Sequence, residues 1–244
     1  MRRTGPNADY ANVTEKRTNP LMAKKAIVSV KSSVGIRRRL RPEDRRRQIL
    51  DGAISFFAEH GFEGGTRDLA KQLGVTQSLI FNYFPTKEEL IREVYQSVYV
   101  GRWRSEWTDL ISNTSVPLRA RLIEFYINYT SVIFSSDWLR IYLFSGLKGL
   151  PINSMWIAFV EDHLIRRICV EVRRENNFCE GNMSEISAEE IETFWLFHSG
   201  IFYYGVRREV YRSPVHLGVQ KFVETSVDAM LAALPAIMRA KVAQ

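Results

Sequence analysis

From Pro42 onward, apolar residues recur at three- and four-residue spacing, and strand-like alternation is scarce. That periodicity marks helices that each bury one face, since side chains at i, i+3 and i+4 fall on the same side of a 3.6-residue turn. Ile49, Ala53, Phe56 and Phe57 set the pattern, while Leu50 and Ile54 widen the face. Pro42 with Glu43 and Asp44 suits the start of this helix. Proline tolerates the first turn, and acids favour the positive end of the helix dipole. Gly61, after His60, suits its C-cap. The fold class this predicts is all-α.

The punctuation then becomes dense. Thr66 predicts the cap of a second helix, Arg67 to Leu73, which Gly74 closes. Thr76 predicts the cap of a third, Gln77 to about Phe84, ended by Pro85. A helix of barely two turns does not hold itself together in water. It needs bracing neighbours, and its brevity points to a job for its exposed face. Thr86-Lys87-Glu88-Glu89 reads as a capping box, with Glu89 reaching back to the Thr86 amide. The helix it opens is expected to run to about Ile111. Further helices are expected near 117–135, 137–148, 153–176, 188–206 and 214–234.

Composition excludes several classes. Of 244 residues, 45% are apolar and 12% aromatic, enough for a packed core. No apolar run approaches the ~20 residues that cross a bilayer. The basic N-terminus is followed by no apolar stretch of the kind a secretory signal needs. Cys169 and Cys179 are too few for a disulfide framework and lack partnered His spacing for zinc. Two reduced thiols in a cytoplasmic protein are the expectation, with no metal and no cofactor. The net charge of +7 is unevenly placed. Residues 1–41 hold 11 Lys and Arg against Asp9 and Glu15, leaving 23 basic and 25 acidic residues for the rest. A basic, disordered arm therefore precedes a near-neutral folded body.

The second and third helices with the turn Leu73-Gly74-Val75-Thr76 form a helix-turn-helix pattern. Ala70 is small where the helices cross, and Leu69, Leu73, Val75 and Ile80 supply a shared apolar centre. That arrangement turns Gln77 and Ser78 outward, where they can meet base edges in a major groove. Lys87, at the first position of the next helix, opposes the helix dipole unless a phosphate sits there. With a phosphate, lysine, dipole and open amides all attract the anion.

The block Arg45 to Tyr95 contains "RRRQILDGAISFFAEHGF" and "TRDLAKQLGVTQSLIFNYFPTKEEL". It strongly resembles the DNA-binding domain of TetR-family transcriptional regulators, over roughly residues 43–100. The resemblance implies a homodimer with a three-helix DNA-binding head and a larger helical body that binds a small ligand or is otherwise switched. It implies that Thr66 and Thr76 cap helices and touch phosphate, and that Gln77, Ser78 and Asn82 face the groove. Tyr83 and Lys87 would grip the backbone, and Arg45, Arg46 and Arg67 join the DNA-binding set. Phe81 stands where the family usually has Tyr, so one phenolic phosphate contact is missing. The link "GFEGGTRDLA" is one residue shorter than the commoner spacing. The expected domains are the arm (1–41), the head (42–100) and a regulatory and dimerisation body (101–244). The expected partners are an operator of pseudo-palindromic double-stranded DNA and a second copy of the chain, with no membrane. The protein would sit on the nucleoid when DNA-bound.

The body is rich in rings. Trp103, Trp107, Tyr126, Tyr129, Trp138, Tyr142, Trp156 and Phe202, with His198 as the polar member, are the candidates to line a cavity for a small apolar or aromatic ligand. Ordinary core packing is the alternative for most of them. "FWLFHSGIFYYGV", residues 194–206, is apolar nearly all round, and Ser199, Gly200 and Gly205 would allow close helix approach. The last helix carries Phe222, Val223, Val227, Met230, Leu231 and Leu234 in a stripe. These two helices suit an isologous dimer patch or an internal core, and a four-helix seam would serve both. No Gly-rich phosphate loop, G-x-S-x-G elbow, H-E-x-x-H or Cys/His cluster supports an enzyme. The expected function is a transcriptional regulator, a repressor released from its operator by the ligand. The rival is a DNA-binding adaptor switched by a partner protein, with a helical enzyme as a remote third.

Overall fold

The structure, a computed structural model, describes residues 40–178 and 186–242, with side chains as far as Met238. Nearly all of the basic arm expected over 1–41, and Cys179, lie outside the described residues. Eleven α-helices and no strand occur among the described residues. They are α1 (Pro42–His60), α2 (Thr66–Leu73), α3 (Gln77–Tyr83), α4 (Lys87–Val98), α5 (Glu106–Ser112) and α6 (Leu118–Ile133). Then follow α7 (Ser136–Leu147), α8 (Ile152–Val160), α9 (Arg166–Glu175), α10 (Ala188–Gly205) and α11 (Val219–Val242). A π-helical turn, Glu161–Ile165, joins α8 to α9, and a second, Val206–Val210, prolongs α10. The fold class is all-α, as the periodicity predicts.

Local signals set the head. Gly61 (φ 70°) and Gly74 (φ 63°) take positive φ as they end α1 and α2, where a side chain would be strained. Thr76 Oγ1 accepts from the Leu79 amide at 3.2 Å, and Thr86 Oγ1 from the Glu89 amide at 3.1 Å. One cap differs from expectation. Gly65 precedes α2, and Asp68 Oδ2 accepts the Gly65 amide at 3.2 Å, so Thr66 is the first helical residue. Its hydroxyl is thereby released for another partner.

Ile49, Ala53 and Phe57 of α1 pack with Leu69, Ile80, Leu90 and Val94 as the core of the head. At roughly 1.5–3 kcal/mol per large buried side chain, this cluster holds two helices too short to persist alone.

The fourth helix is shorter than the sequence suggests. It stops at Val98, and the chain passes through a 3₁₀ turn, Val100–Arg102, into an extended Trp103 (φ −70°, ψ 132°) before α5 begins. Apolar residues continue across the gap at near-helical spacing, so periodicity hides the break. Gly101 marks it: a side chain there would lie 3.0 Å from the Gln96 carbonyl oxygen. Trp107 consequently belongs to α5, and neither it nor Trp103 lies on α4.

From Leu40 onward the chain is one compact unit. α1 lies along α7. There Arg140 Nε donates to the Ala58 carbonyl at 2.5 Å and its Nη2 to that of Glu59 at 3.4 Å, closing the end of α1. Lys148 pairs with Glu63 beside it. The last helix packs on α6 and α10. Val223, Val227, Met230 and Leu234 are all buried there, so that stripe is internal core. Gly205 is also internal, since a β-carbon there would fall 2.4 Å from the Phe134 ring.

Candidate nucleic-acid interface and ligand cavity

On α3, Ser78 and Asn82 are exposed one turn apart, and Gln77 is half-buried beside them. The Gln77 amide is held on both sides. Its Nε2 donates to Thr66 Oγ1 at 2.7 Å, and its Oε1 accepts from Arg67 Nε at 3.3 Å. A guanidinium can only donate, so this fixes which end of the amide faces which partner. Three residues singled out separately in the sequence thus form one braced unit. Ser78 Oγ lies 3.0 Å from Thr76 Oγ1.

Other members of the expected set have internal partners. Lys87 Nζ donates to the carbonyls of Phe62 (2.7 Å) and Gly64 (3.2 Å), tying the start of α4 to the link between α1 and α2. An ammonium has three donors, so one remains for a phosphate. Arg46 Nη2 donates to Glu93 at 2.7 Å, and its guanidinium lies 4.8 Å from the Phe84 ring centroid. That side chain clamps α1 to α4. Arg45 Nη1 donates to Gln48 at 2.7 Å, and Tyr83 packs against the core. Apart from the i, i+3 pair Arg45–Gln48, sequence spacing shows none of these partners.

The body contains a cavity of about 300 Å³ between α6, α7, α8 and α10. Six of the expected residues line it: Tyr129, Trp138, Tyr142, Trp156, His198 and Phe202. Three do not. Trp107 is buried with its ring edge-on to Phe125 at 5.7 Å. Trp103 covers it from outside at 5.1 Å. Tyr126 stands behind His198, with its hydroxyl 3.3 Å from Nδ1. Four lining residues were missed: Ile157, Val160, Trp195 and Ser199. Trp195, Ser199 and Phe202 share a helical face with His198, a signal that was available at spacings of three and four.

Burial raises the hydroxyl pKa values of Tyr126, Tyr129 and Tyr142, so all three stay protonated. Burial also pulls His198 down to about 4, so its imidazole is neutral near pH 7. The cavity is lined by rings and uncharged groups.

Residues 49–94 match the family described as bacterial regulatory proteins, tetR family. This is the stretch that holds α2, α3 and most of α1 and α4. This segment is a TetR-family DNA-binding domain. The chain is 29% identical over 178 residues to the HTH-type transcriptional regulator LuxR of Vibrio harveyi, a span of 68% of this chain and 80% of that one. It is also 29% identical over 161 residues to the HTH-type transcriptional repressor AcnR of Corynebacterium glutamicum, covering 63% of this chain and 77% of the relative. A TetR-like regulator from Rhodococcus sp. RHA1 superposes with a TM-score of 0.56 at 17% identity, over 80% of this chain and all of that one. That likeness carries the fold. The matched domain and the regulators it resembles make this a DNA-binding regulator, and its helix-turn-helix is the α2–α3 pair. No single described helix is long and apolar enough to cross a membrane.

Proposed function

We propose that this DNA-binding regulator is a dimeric repressor that a small apolar or aromatic ligand releases from a pseudo-palindromic operator. The observation that carries the reading is the aromatic cavity and its physical continuity with the head. Trp138 and Tyr142 form one wall from α7, and the same helix grips the end of α1 through Arg140. A guest that moves α7 moves the helix on which the reading head is built. A ligand alters DNA affinity only if it favours one arrangement of the heads over another.

In this reading Gln77, Ser78 and Asn82 meet base edges, and Arg67, Thr76 and Lys87 meet phosphates. Two copies are needed because one short head contacts few bases. Leu196 (70% exposed) and Tyr203 (53%) lie two turns apart on α10, and the Gly200 position between them opens onto empty space. That uncovered apolar face suits the second copy. Catalysis has no part in this reading.

The test is to footprint the purified protein on genomic fragments, then screen small apolar compounds for loss of protection. Protection of paired half-sites, and release by at least one compound, is expected. Protection that no compound alters would favour the adaptor switched by a partner protein.

A further inference from the structure

The character of the cavity is more specific than "apolar". Its lining contains no Asp, Glu, Lys or Arg. Placing a carboxylate or ammonium there would strip its hydration without supplying a counter-charge. The nearby ion pair of α7 is already closed, with Arg102 Nη2 donating to Asp137 at 2.7 Å. At about 300 Å³ the space lies at the small end of the ~300–1,000 Å³ typical of ligand clefts. Its size suits a guest of one or two rings.

The walls are flat. Trp138 and Tyr142 stack at 5.3 Å, Trp156 meets Trp138 edge-on at 5.7 Å, and Phe202 meets Tyr142 at 5.2 Å. A planar guest can add to such a set by stacking or edge contact. The polar groups are few. Interaction with the Trp156 indole offsets part of the burial that raises the Tyr129 hydroxyl pKa, and Asn153 does the same for Tyr142. Ser199 is exposed at the rim. His198 differs from these. It is 6% exposed, and its Nδ1 is taken up by the Tyr126 hydroxyl at 3.3 Å, which leaves Nε2 as the ring nitrogen for a guest. A neutral imidazole held to a hydroxyl can present Nε2 as donor or acceptor, because the hydroxyl adapts to either tautomer.

We propose that the cavity takes an uncharged aromatic molecule of one or two fused rings bearing one hydroxyl or carbonyl oxygen, and that His198 is the residue that selects for that oxygen. This deepens the ligand-controlled reading above and rests on it for its biological consequence, though binding itself is measured separately.

Three probes of one size separate the contributions: 2-naphthol, naphthalene and 2-naphthoate. Three of the five tryptophans line the cavity, so intrinsic fluorescence reports occupancy. At pH 7.5, 2-naphthol should bind at least tenfold more tightly than 2-naphthoate and several-fold more tightly than naphthalene. His198→Phe should erase the preference for naphthol over naphthalene while naphthalene still binds. His198→Gln, which keeps a neutral hydrogen-bonding group, should retain much of it. Equal or tighter binding of naphthoate, no binding by any probe, or a naphthol preference that survives in His198→Phe would each overturn the proposal. Should His198→Phe fail to fold, the wild-type ranking and His198→Gln still decide it. Tight naphthol binding with unchanged DNA affinity would uphold this site and defeat ligand-controlled release instead.

Discussion

The hydroxyl of Tyr99, the residue that closes α4, donates to the backbone carbonyl of Trp138 on α7 at 3.2 Å. The Tyr99 ring is fully buried and packs on Trp138 at 4.8 Å, Trp156 at 5.6 Å and Tyr142 at 6.4 Å. All three partners line the cavity. The residue that caps the helix leaving the head therefore sits behind the cavity wall. Tyr99→Phe keeps the ring and removes the hydroxyl, leaving the Trp138 carbonyl without that donor. It should cost about 0.5–1.5 kcal/mol of stability, measured by denaturant unfolding. It should also reduce the loss of DNA affinity caused by a saturating ligand. An undiminished ligand response would mean that Tyr99 only packs.

Arg140 is the second link between cavity and head. Arg140→Ala removes both donors from the end of α1 and the cation lying 5.5 Å from the Phe144 ring. A cost of about 1–2 kcal/mol is expected for this half-buried contact. DNA binding should weaken without a change in which bases are preferred. Calorimetry and binding to single-base operator variants check this; a changed base preference would contradict the role.

Gln77 and Lys87 should separate by phenotype. Gln77→Ala should flatten base preference in each half-site, because a bidentate amide is worth about 1–3 kcal/mol of discrimination. Lys87→Ala should weaken binding to all sequences alike and reduce the salt slope by roughly 0.9 for each phosphate that the lysine no longer neutralises. It should also lower the melting temperature, since Lys87 holds the Phe62 and Gly64 carbonyls. A shared change of specificity in both variants would refute the division.

Leu196→Glu places a charge on the uncovered face of α10, at a position already 70% exposed in the single chain. The monomer should fold with little loss, while dimerisation and operator binding fall together. Light scattering and gel shift measure the two. A dimer that survives the change would place the second copy on another face.

His198 gives a pH signature. Its pKa is about 4 in the folded protein against an ordinary 6.5. Between those values the unfolded chain binds a proton that the native state does not, so stability falls as pH drops through that window and levels off below it. The groups facing it from α6, Tyr126 and Tyr129, stay protonated throughout. A shift of this size corresponds to on the order of 3 kcal/mol. His198→Gln should be correspondingly less sensitive over pH 6.5 to 4, read as the difference between two unfolding series. Parallel series for the two proteins would disprove the assignment.

The sequence by itself determined the all-α class, the three-helix head and the caps at Gly61, Gly74, Thr76 and Thr86. Each of those signals acts within about one helical turn, so neighbouring residues suffice to read it. Six of the nine ring and histidine positions expected at the cavity were legible as well, because large rings on helix faces are scarce enough to find one another. Tertiary structure alone decided the rest. Trp107 fell into solid packing while Trp195 faced open space, a choice made by how four helices cross. The break after Val98 depended on a steric limit at Gly101 that hydrophobic periodicity does not register. Lys87 and Arg46 found their carbonyl and carboxylate partners 23 to 47 residues away. Contacts of that range arise only after the core has closed, so no local pattern in the chain encodes them.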